Sequence, residues 1–350
     1  MADLDRAAVQ ACDPTGQAGE MLDLPAHLRD AWWRVDSAGL VLEDARDGLI
    51  VAGMGGSAVG GRLARATIGS RARRPLSIVG GYALPAWAGR DTLVLCASYS
   101  GTTEETLSCY AHAGALGTRR VVATTGGPLA EAARADGVPV IPLPGGFQPR
   151  AAVGYALVSA LAAATSCGVV PSLRDEIEGA AALAERLAAE WGPDGPDDGV
   201  AKALARRLAG TVPVISGSEL TADVAYRWKT QINENAEVPA FSSELPELDH
   251  NEIVGWGAAS RELARFAAVL LEDPEEHKRN ARRIELTAKA AEAGTVAVER
   301  VRALGETRSE RVVSLVLLGD LVSLYLAVLR GVDPVAIDVL TQLKARLAEA

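Results

Sequence analysis

The first half of the chain alternates short apolar runs with longer helix-like stretches. The runs have the length and composition of buried strands and cover residues 49–52, 76–80, 92–98, 120–125 and 139–143. Helix-like stretches separate or follow these runs, among them 62–68, 103–115 and 128–135. Continuous apolar strands separated by helices are typical of a parallel sheet with helices on both faces. We therefore predict an α/β fold, in which ligands bind at the carboxyl ends of the strands.

The second half repeats this pattern after two helices, at 151–167 and 173–190, and a loop rich in Gly, Pro and Asp at 192–199. Predicted strands cover 212–216, 266–271 and 295–298, and predicted helices cover 200–208, 220–235, 274–293, 315–329 and 335–347. A proline-punctuated segment at 238–251 is predicted to be a loop. The chain is thus divided into a helical lead-in at 1–35, a first domain at 36–170, a connecting helix and linker at 171–199, and a second domain with a C-terminal helix at 200–350.

Composition narrows the choice of function. The net charge is −10 and neither half is strongly basic, so we expect no nucleic-acid partner. The four cysteines (12, 96, 109 and 167) contain no CxxC pair, which disfavours a metal cluster or a disulfide framework. We therefore expect the four cysteines to be reduced thiols, which are typical of a cytoplasmic protein. Apolar runs such as 151–164 are interrupted and too short to span a bilayer, so we expect no membrane partner.

Glycines are concentrated where the first predicted strand ends, in the stretch 53–61 (GMGGSAVGG). Glycine lets the backbone adopt positive φ and approach a ligand, and a helix that begins here points unpaired N–H groups at an anion. The stretch lacks the Lys-Ser/Thr of a P-loop and the GxGxxG spacing of a dinucleotide site, so neither nucleotide class is favoured. A phosphate site and a plain tight turn are both consistent with it.

The third predicted strand ends in a run of hydroxyl side chains at 98–106 (SYSGTTEET). Hydroxyl and backbone donors without a lysine suit a phosphate monoester that is bound reversibly. The same residues have the pattern of a helix capping box, with Ser or Thr at the N-cap and Glu three residues later. The two interpretations are compatible, because capping by hydroxyls leaves N–H groups for a ligand.

Ionisable side chains outside these loops are candidates for acid–base chemistry. Arg150 precedes an apolar helix, where the helix dipole disfavours a cation, so we expect an anionic partner, with an ordinary surface arginine as the alternative. Glu234 and His250 combine a carboxylate with an imidazole, and such groups can move protons near neutral pH. They are too far apart in sequence to share one helix face, so either the loop folds back or another subunit supplies one of them.

Together these segments resemble the bifunctional phosphoglucose/phosphomannose isomerases of the sugar-isomerase (SIS) domain superfamily. The segments that carry the resemblance are GMGGS at 53–57, SYSGTTEET at 98–106, PR at 149–150, NEN at 233–235, PELDHNE at 246–252, DP at 333–334 and LK at 343–344. Each segment is modest alone, but all of them occur in the family's order. The resemblance implies two SIS domains, each a parallel sheet flanked by helices in a flavodoxin-like sandwich.

The resemblance also implies an active site and a reaction. Backbone N–H groups and hydroxyls would bind the sugar phosphate, from Gly55, Gly56, Ser57, Ser98, Ser100 and Thr103. Glu234 would move a proton between C1 and C2, and Arg150 would stabilise the enediolate. His250 and Lys344 would assist ring opening. The enzyme would convert glucose 6-phosphate, and mannose 6-phosphate, to fructose 6-phosphate as a homodimer whose histidine comes from the other subunit, with no metal or other cofactor.

Two departures from the family pattern bear on specificity. Relatives usually have Ser-Gly-Asn-Thr where this chain has Ser-Gly-Thr-Thr at 100–103, and the run 333–337 is apolar where polar residues can occur in relatives. The second run lies near the sugar, so the choice between glucose, mannose or another phosphosugar stays open. A non-catalytic phosphosugar sensor would need the phosphate loop but not Glu234, and a nucleotide-dependent oxidoreductase would need another glycine spacing. An intramolecular oxidoreductase, an aldose–ketose isomerase, is the function we expect.

Overall fold

A computed structural model describes residues 3–40, 44–256 and 264–347. The first half forms one sheet from β1 (Gly48–Gly53), β2 (Leu76–Val79), β3 (Thr92–Ala97), β4 (Arg119–Thr124) and β5 (Val140–Pro142). All of these strands are parallel, in the order β2-β1-β3-β4-β5. Each strand begins and ends within one residue of its predicted run. The central strands β1 and β3 are buried along their whole length, and a continuous apolar run is a strong signal for such a strand.

Helices of the first half cover the sheet and lead to the second half. They are α1 (Arg6–Cys12), α2 (Gln17–Leu22), α3 (Leu24–Ser37), α4 (Gly55–Ile68), α5 (Glu104–Ala115), α6 (Gly127–Ala135), α7 (Val153–Ser166) and α8 (Arg174–Trp191). The helix predicted at 62–68 begins earlier than expected, because α4 begins at Gly55 within the glycine stretch 53–61. Two of its glycines serve packing: a Cβ at Gly60 would lie 2.5 Å from Ala156 of α7, and one at Gly61 would lie 2.9 Å from Val51 of β1.

The second half contains a smaller parallel sheet. Its elements are α9 (Val200–Leu208), β6 (Val212–Ser218), α10 (Leu220–Ala236), β7 (Phe241–Leu245), β8 (Phe266–Glu272), α11 (Lys278–Ala291), β9 (Ala297–Arg302), α12 (Arg308–Arg330) and α13 (Asp338–Leu347). The strand order is β7-β6-β8-β9. The loop predicted at 238–251 is partly wrong because it contains β7. This strand lies at an edge with Phe241 exposed and polar residues after it, so it lacks the apolar run of a central strand.

Three further helices begin more than two residues from their predicted starts. The helix predicted at 315–329 is the inner part of α12, which begins at Arg308. Thr307 and Glu310 form a capping box there, and Gly331 ends the helix with φ of +68°. The polar first turn of α12 hid its start from an apolar pattern. The helices predicted at 274–293 and 335–347 begin later, at Lys278 and Asp338.

The main hydrophobic core lies among helices that connect the two sheets. α4 packs against α7 and α10, and α10 packs against α12. Side chains alternate along β1 as the strand period requires: Val51 joins the main core with Ile215 of the second sheet, whereas Ile50 packs in a separate cluster with Leu129 of α6. The two halves therefore share one core and hold a fixed relation at the α4–α10 contact.

α12 is the central helix of this core. It is long and apolar enough to cross a membrane, but 94% of its most apolar window is buried inside the protein, as expected for a core helix. Asp320 forms a buried ion pair with Arg227 of α10, with 2.6 Å between Oδ2 and Nη2. Trp228 donates its indole N–H to the Leu315 carbonyl at 2.8 Å. Both contacts join α10 to α12 by polar groups inside an apolar layer.

Replacing Gly319 by Ala is expected to destabilise this contact, because the added Cβ would lie 2.3 Å from the indole nitrogen of Trp228. Overpacking of this kind lowers the free energy of unfolding by about 1–3 kcal/mol. Urea denaturation monitored by tryptophan fluorescence measures the change. Gly179→Ala in α8 is the matched control, since its Cβ would meet only Glu310 at 3.5 Å. That variant should be neutral or more stable by about 0.5–1 kcal/mol, and equal losses in both variants would contradict the packing argument.

Candidate active site

Two helix N-termini meet at the carboxyl edge of the first sheet. β1 ends at Gly53 and β3 ends at Ala97, and these residues are partners in the parallel ladder. α4 begins directly after β1, and α5 begins at Glu104 after the hydroxyl-rich loop. The crossovers leave β1 and β3 in opposite directions, which is where open parallel sheets bind ligands. The two stretches singled out in the sequence therefore lie side by side.

The hydroxyl groups of the loop at 98–103 bond to one another. Ser98 Oγ lies 2.8 Å from Thr103 Oγ1 and accepts from the Gly101 N–H. Ser100 Oγ lies 2.8 Å from Thr102 Oγ1. Thr103 is the N-cap of α5, yet its side chain makes no capping hydrogen bond, so the predicted capping box is wrong. The first-turn N–H groups of α5 thus stand without a side-chain cap beside several hydroxyls, an arrangement that suits an anion.

Gly56 brings the first turn of α4 against the segment before α7. A Cβ at this position would lie 2.6 Å from the carbonyl oxygen of Pro149 and 3.3 Å from Cα of Arg150. Gly55 has φ of +51°, and nothing lies within 4 Å of the place where its Cβ would stand. Ser57 follows in the same turn and is partly exposed. The first turn of α4 is therefore exposed to solvent at Gly55 and contacts the Arg150 backbone at Gly56.

Arg150 lies in the turn before α7, and only 4% of its side chain is exposed. Its Nε donates to Asn235 Oδ1 at 2.7 Å, and its Nη2 donates to the Pro334 carbonyl at 2.6 Å. Nη1 lies 3.5 Å from Glu234 Oε2. Burial lowers the pKa of the guanidinium, and the carboxylates of Glu234 and Glu20 raise it. The anionic partner that the sequence requires for Arg150 is thus Glu234.

Glu234 lies in the last turn of α10, which ends with Glu237 in the left-handed conformation. About a third of its side chain, 32%, is exposed, so the carboxylate is accessible while one oxygen faces Arg150. An accessible carboxylate is a candidate general base. The adjacent guanidinium can stabilise negative charge that develops on an oxygen of the same substrate.

His250 and Lys344 are exposed and are not bonded to this cluster. His250 ends a 3₁₀ turn, which Arg283 and Thr287 of α11 hold through hydrogen bonds to Asp249. Lys344 lies on α13. Within residues 3–40, 44–256 and 264–347, neither side chain makes a hydrogen bond or ion pair with the site residues described above. The structure thus brings together the hydroxyl loop, the glycine turn, Arg150 and Glu234, but not His250 or Lys344.

Contacts of Arg150 include residues to which the sequence analysis gave no role. Asn235 is fully buried and accepts from Arg150, although in the sequence it is only one letter of the segment NEN. Glu20 of α2 has one buried carboxylate oxygen without a partner in the described part of the chain, and burial raises the pKa of this group. The lead-in helices carry no recognisable motif, so nothing in the sequence signalled their approach to Arg150.

The matching edge of the second sheet is acidic. β6 ends at Ser218, whose hydroxyl donates to Glu276 at 2.7 Å. Asp273 and Glu275 follow β8 and pair with the buried Arg311. Burial raises the pKa of Glu276 to about 6, and Asp273 acts in the same direction. Because carboxylates repel a phosphate, the first of these two edges is the one that suits a phosphorylated ligand.

Comparison with known proteins identifies the family. The family described as "Bacterial phospho-glucose isomerase C-terminal SIS domain" matches residues 197–347. The bifunctional phosphoglucose/phosphomannose isomerase of Caldicellulosiruptor bescii is 40% identical over 305 residues, which cover 87% of this chain and 90% of that protein. The chain belongs to the bifunctional phosphoglucose/phosphomannose isomerase family. The Aquifex aeolicus isomerase of this family is 36% identical over 302 residues, covering 86% of this chain and 90% of its own length.

Solved structures share the fold of this family member. The hypothetical protein TT0462 of Thermus thermophilus has a TM-score of 0.69 and 20% identity, covering 96% of this chain and 91% of its own. The C-terminal domain of glucosamine-fructose-6-phosphate aminotransferase from Francisella tularensis has a TM-score of 0.70 and 13% identity, with coverages of 91% and 97%. At these identities the likeness shows the fold alone. The predicted family and the predicted pair of parallel sheets flanked by helices are both confirmed.

Glu276→Gln is expected to make stability less dependent on pH. The folded state raises the pKa of this carboxyl from its ordinary value of 4.5 to about 6, so the folded protein binds the proton more tightly than the unfolded chain. Ionised Glu276 therefore lowers stability above pH 6, and this loss disappears as the pH falls from 6 to 4.5. Because the side chain is half-exposed, the variant should gain at most about 1 kcal/mol at pH 7.5 and nothing at pH 4.5.

Urea denaturation of both proteins at pH 7.5 and pH 4.5 measures this difference. Glu190→Gln is the control, since it removes the same charge at an exposed position of α8. A gain at pH 7.5 that is equal in the two variants would show a general charge effect and not one of the burial of Glu276.

Proposed function

We propose that this protein interconverts glucose 6-phosphate, and also mannose 6-phosphate, with fructose 6-phosphate through a cis-enediol intermediate. The observation that carries the proposal is the pairing of an accessible carboxylate, Glu234, with a buried guanidinium, Arg150, at 3.5 Å. Membership of a family whose relatives are named phosphoglucose/phosphomannose isomerases supports it. The reaction needs no electron acceptor from outside, because the aldehyde is reduced as the neighbouring alcohol is oxidised.

Glu234 acts as the base that moves the proton. In the open-chain aldose it removes the hydrogen of C2, and the electron pair of that bond forms the C1–C2 double bond of the enediol. Returning the proton to C1, as the hydroxyl proton of C2 passes to the oxygen of C1, gives the ketose. Negative charge develops on an oxygen during both transfers, and the fixed cation of Arg150 stabilises it most strongly in the transition state. The same carboxylate takes up and returns the proton, so its protonation state is restored after each turnover.

The phosphate binds away from the reacting carbons. Its oxygens accept from backbone N–H groups and hydroxyls at the first sheet's edge, supplied by Gly55, Gly56, Ser57, Ser98, Ser100 and Thr103. The absence of a side-chain cap on α5 and the exposure of Gly55 support this placement. Binding energy from the phosphate then orients the sugar for proton transfer. The segment after Pro334 lies next to Arg150, so its apolar residues are placed to influence the choice between glucose and mannose.

His250 and Lys344 assist ring opening from a homodimer. Both side chains are exposed in the single chain, which supports a site that is completed by a second subunit. α13 carries Val339, Leu343 and Leu347 with 82%, 53% and 61% of their surfaces exposed. A helix with so much exposed apolar surface is typical of an interface. We assign His250 to the active site of the partner subunit.

The remaining parts of the proposal concern organisation and compartment. We keep the division into a lead-in at 1–35, a first SIS domain at 36–170, a connection at 171–199 and a second SIS domain at 200–350. The cysteines at 12, 96, 109 and 167 are free. Free thiols are typical of a reducing compartment, which supports the cytoplasm as the place of action.

Glu234→Gln is expected to lower kcat for the isomerisation of fructose 6-phosphate by about 10²–10⁴-fold, because the amide cannot accept the proton. The assay measures glucose 6-phosphate and mannose 6-phosphate with EDTA present, and the product ratio gives the epimer preference. Glu237→Gln is the control, an exposed carboxylate just past the same helix that should stay within about twofold of wild type. Phosphosugar binding by a wild type that forms neither product would indicate a sensor or an isomerase of another sugar phosphate.

Mixed dimers test whether His250 acts across the interface. Glu234→Gln and His250→Gln homodimers should both be severely impaired, but their heterodimer regains one complete site if the histidine comes from the partner. Co-expression with random pairing should therefore restore about a quarter of wild-type activity, because half the dimers are mixed and each has one intact site. Glu234→Gln with Arg150→Lys is the control pair, and it should restore nothing because both residues come from one chain. Absence of restoration in the first pair would contradict the shared site.

A further inference from the structure

We propose that Asn235 is a positioning residue, whose uncharged side-chain carbonyl holds the guanidinium of Arg150 in the orientation that faces Glu234 and leaves its positive charge available to the substrate. The inference rests on the proposed function, because it assigns a role in the isomerisation. Asn235 is fully buried in the last turn of α10, next to the candidate base but on another side of the helix. It has no path to the substrate of its own and acts through Arg150.

The hydrogen bonds of Asn235 fix its orientation. Its Oδ1 accepts from Arg150 Nε at 2.7 Å and from Gln17 Nε2 at 3.0 Å. Its Nδ2 donates to Ser323 Oγ at 2.8 Å, and Ser323 in turn donates to the Asp320 carbonyl at 2.7 Å. With both acceptor sites of the carbonyl occupied, the amide cannot turn over without losing three hydrogen bonds.

A planar guanidinium is oriented once two of its nitrogens are held. Nε is held by Asn235 and Nη2 by the Pro334 carbonyl, so the remaining nitrogen, Nη1, points toward Glu234. The Arg150 backbone is held as well, because its carbonyl accepts from Arg227, whose guanidinium is paired with Asp320. Backbone and side chain of Arg150 are thus both attached to the α10–α12 contact.

The two acceptors that hold Arg150 are uncharged carbonyls. An amide oxygen orients the guanidinium but leaves its positive charge available to an oxygen of the substrate. A carboxylate at position 235 would accept the same hydrogen bonds with nearly the same shape, yet it would offset that charge inside a buried site. Asn235→Asp therefore changes the charge beside Arg150 while it keeps the orientation of the guanidinium and nearly the same side-chain volume.

The test compares Asn235→Asp, Asn235→Ala and Ser323→Ala with wild type in the isomerisation of fructose 6-phosphate. Asn235→Asp is expected to lower kcat by about tenfold or more, with KM within about threefold. The variant should bind a hydroxamate analogue of the enediolate more weakly by a similar factor. Its affinity for a hexitol 6-phosphate, which lacks the carbonyl group, should not change. Asn235→Ala removes the acceptor and should show the same pattern; if it does not fold, Asn235→Gln, which keeps the amide but displaces its oxygen, takes its place.

Ser323→Ala is the matched control. It breaks the bond of Asn235 on the side away from Arg150, so the thermal midpoint should fall while kcat stays within about twofold. Equal loss of kcat in Ser323→Ala and Asn235→Asp would mean that the network is only structural and would overturn the inference, as would a kcat within twofold of wild type in Asn235→Asp. An inactive wild type would contradict the proposed function itself, whereas an active wild type with unaffected variants contradicts the positioning role alone.

Discussion

Burial of the Arg150 charge is the constraint on which the site depends. A buried cation without partners costs several kcal/mol, so the chain must supply acceptors from wherever the fold can bring them. They come from the end of α10 and from the segment after α12, while Gly56 of α4 leaves room for the backbone. These elements belong to both halves of the chain. The candidate active site is therefore complete only when the two halves pack together.

The two sheets have similar topology but opposite chemistry at their carboxyl edges. The first edge presents hydroxyls and a helix N-terminus without a side-chain cap. At the second edge the hydroxyl of Ser218 already donates a hydrogen bond to Glu276. A phosphorylated ligand distinguishes the two by charge alone. The second half contributes to the site through α10 instead, by carrying Glu234 next to the first domain's arginine. In the proposed function the first half of the chain thus supplies the binding edge and the second half supplies the base.

The sequence predicted the features that depend on local pattern. The first sheet followed from apolar runs, and the adjacency of the glycine and hydroxyl stretches followed from their places at the ends of β1 and β3. The need of Arg150 for an anion was predicted, and the structure supplies Glu234.

Edge strand β7 was missed because its burial is slight. Asn235 could not be assigned a role, since its importance lies in contacts with Gln17 and Ser323 that are distant in sequence. The place of His250 in the site was not predictable from one chain's pattern, and we propose that a second subunit completes it.

The central claim is proton transfer by a carboxylate opposite a fixed cation. The most direct measurement converts fructose 6-phosphate to glucose 6-phosphate in D₂O and determines deuterium at C2 of the product by NMR. A base that exchanges its proton with water during the lifetime of the enediol incorporates solvent deuterium there, and the account predicts such incorporation in the presence of EDTA. Full activity with complete transfer of the C1 hydrogen to C2 and no solvent deuterium would indicate a hydride shift and contradict the account.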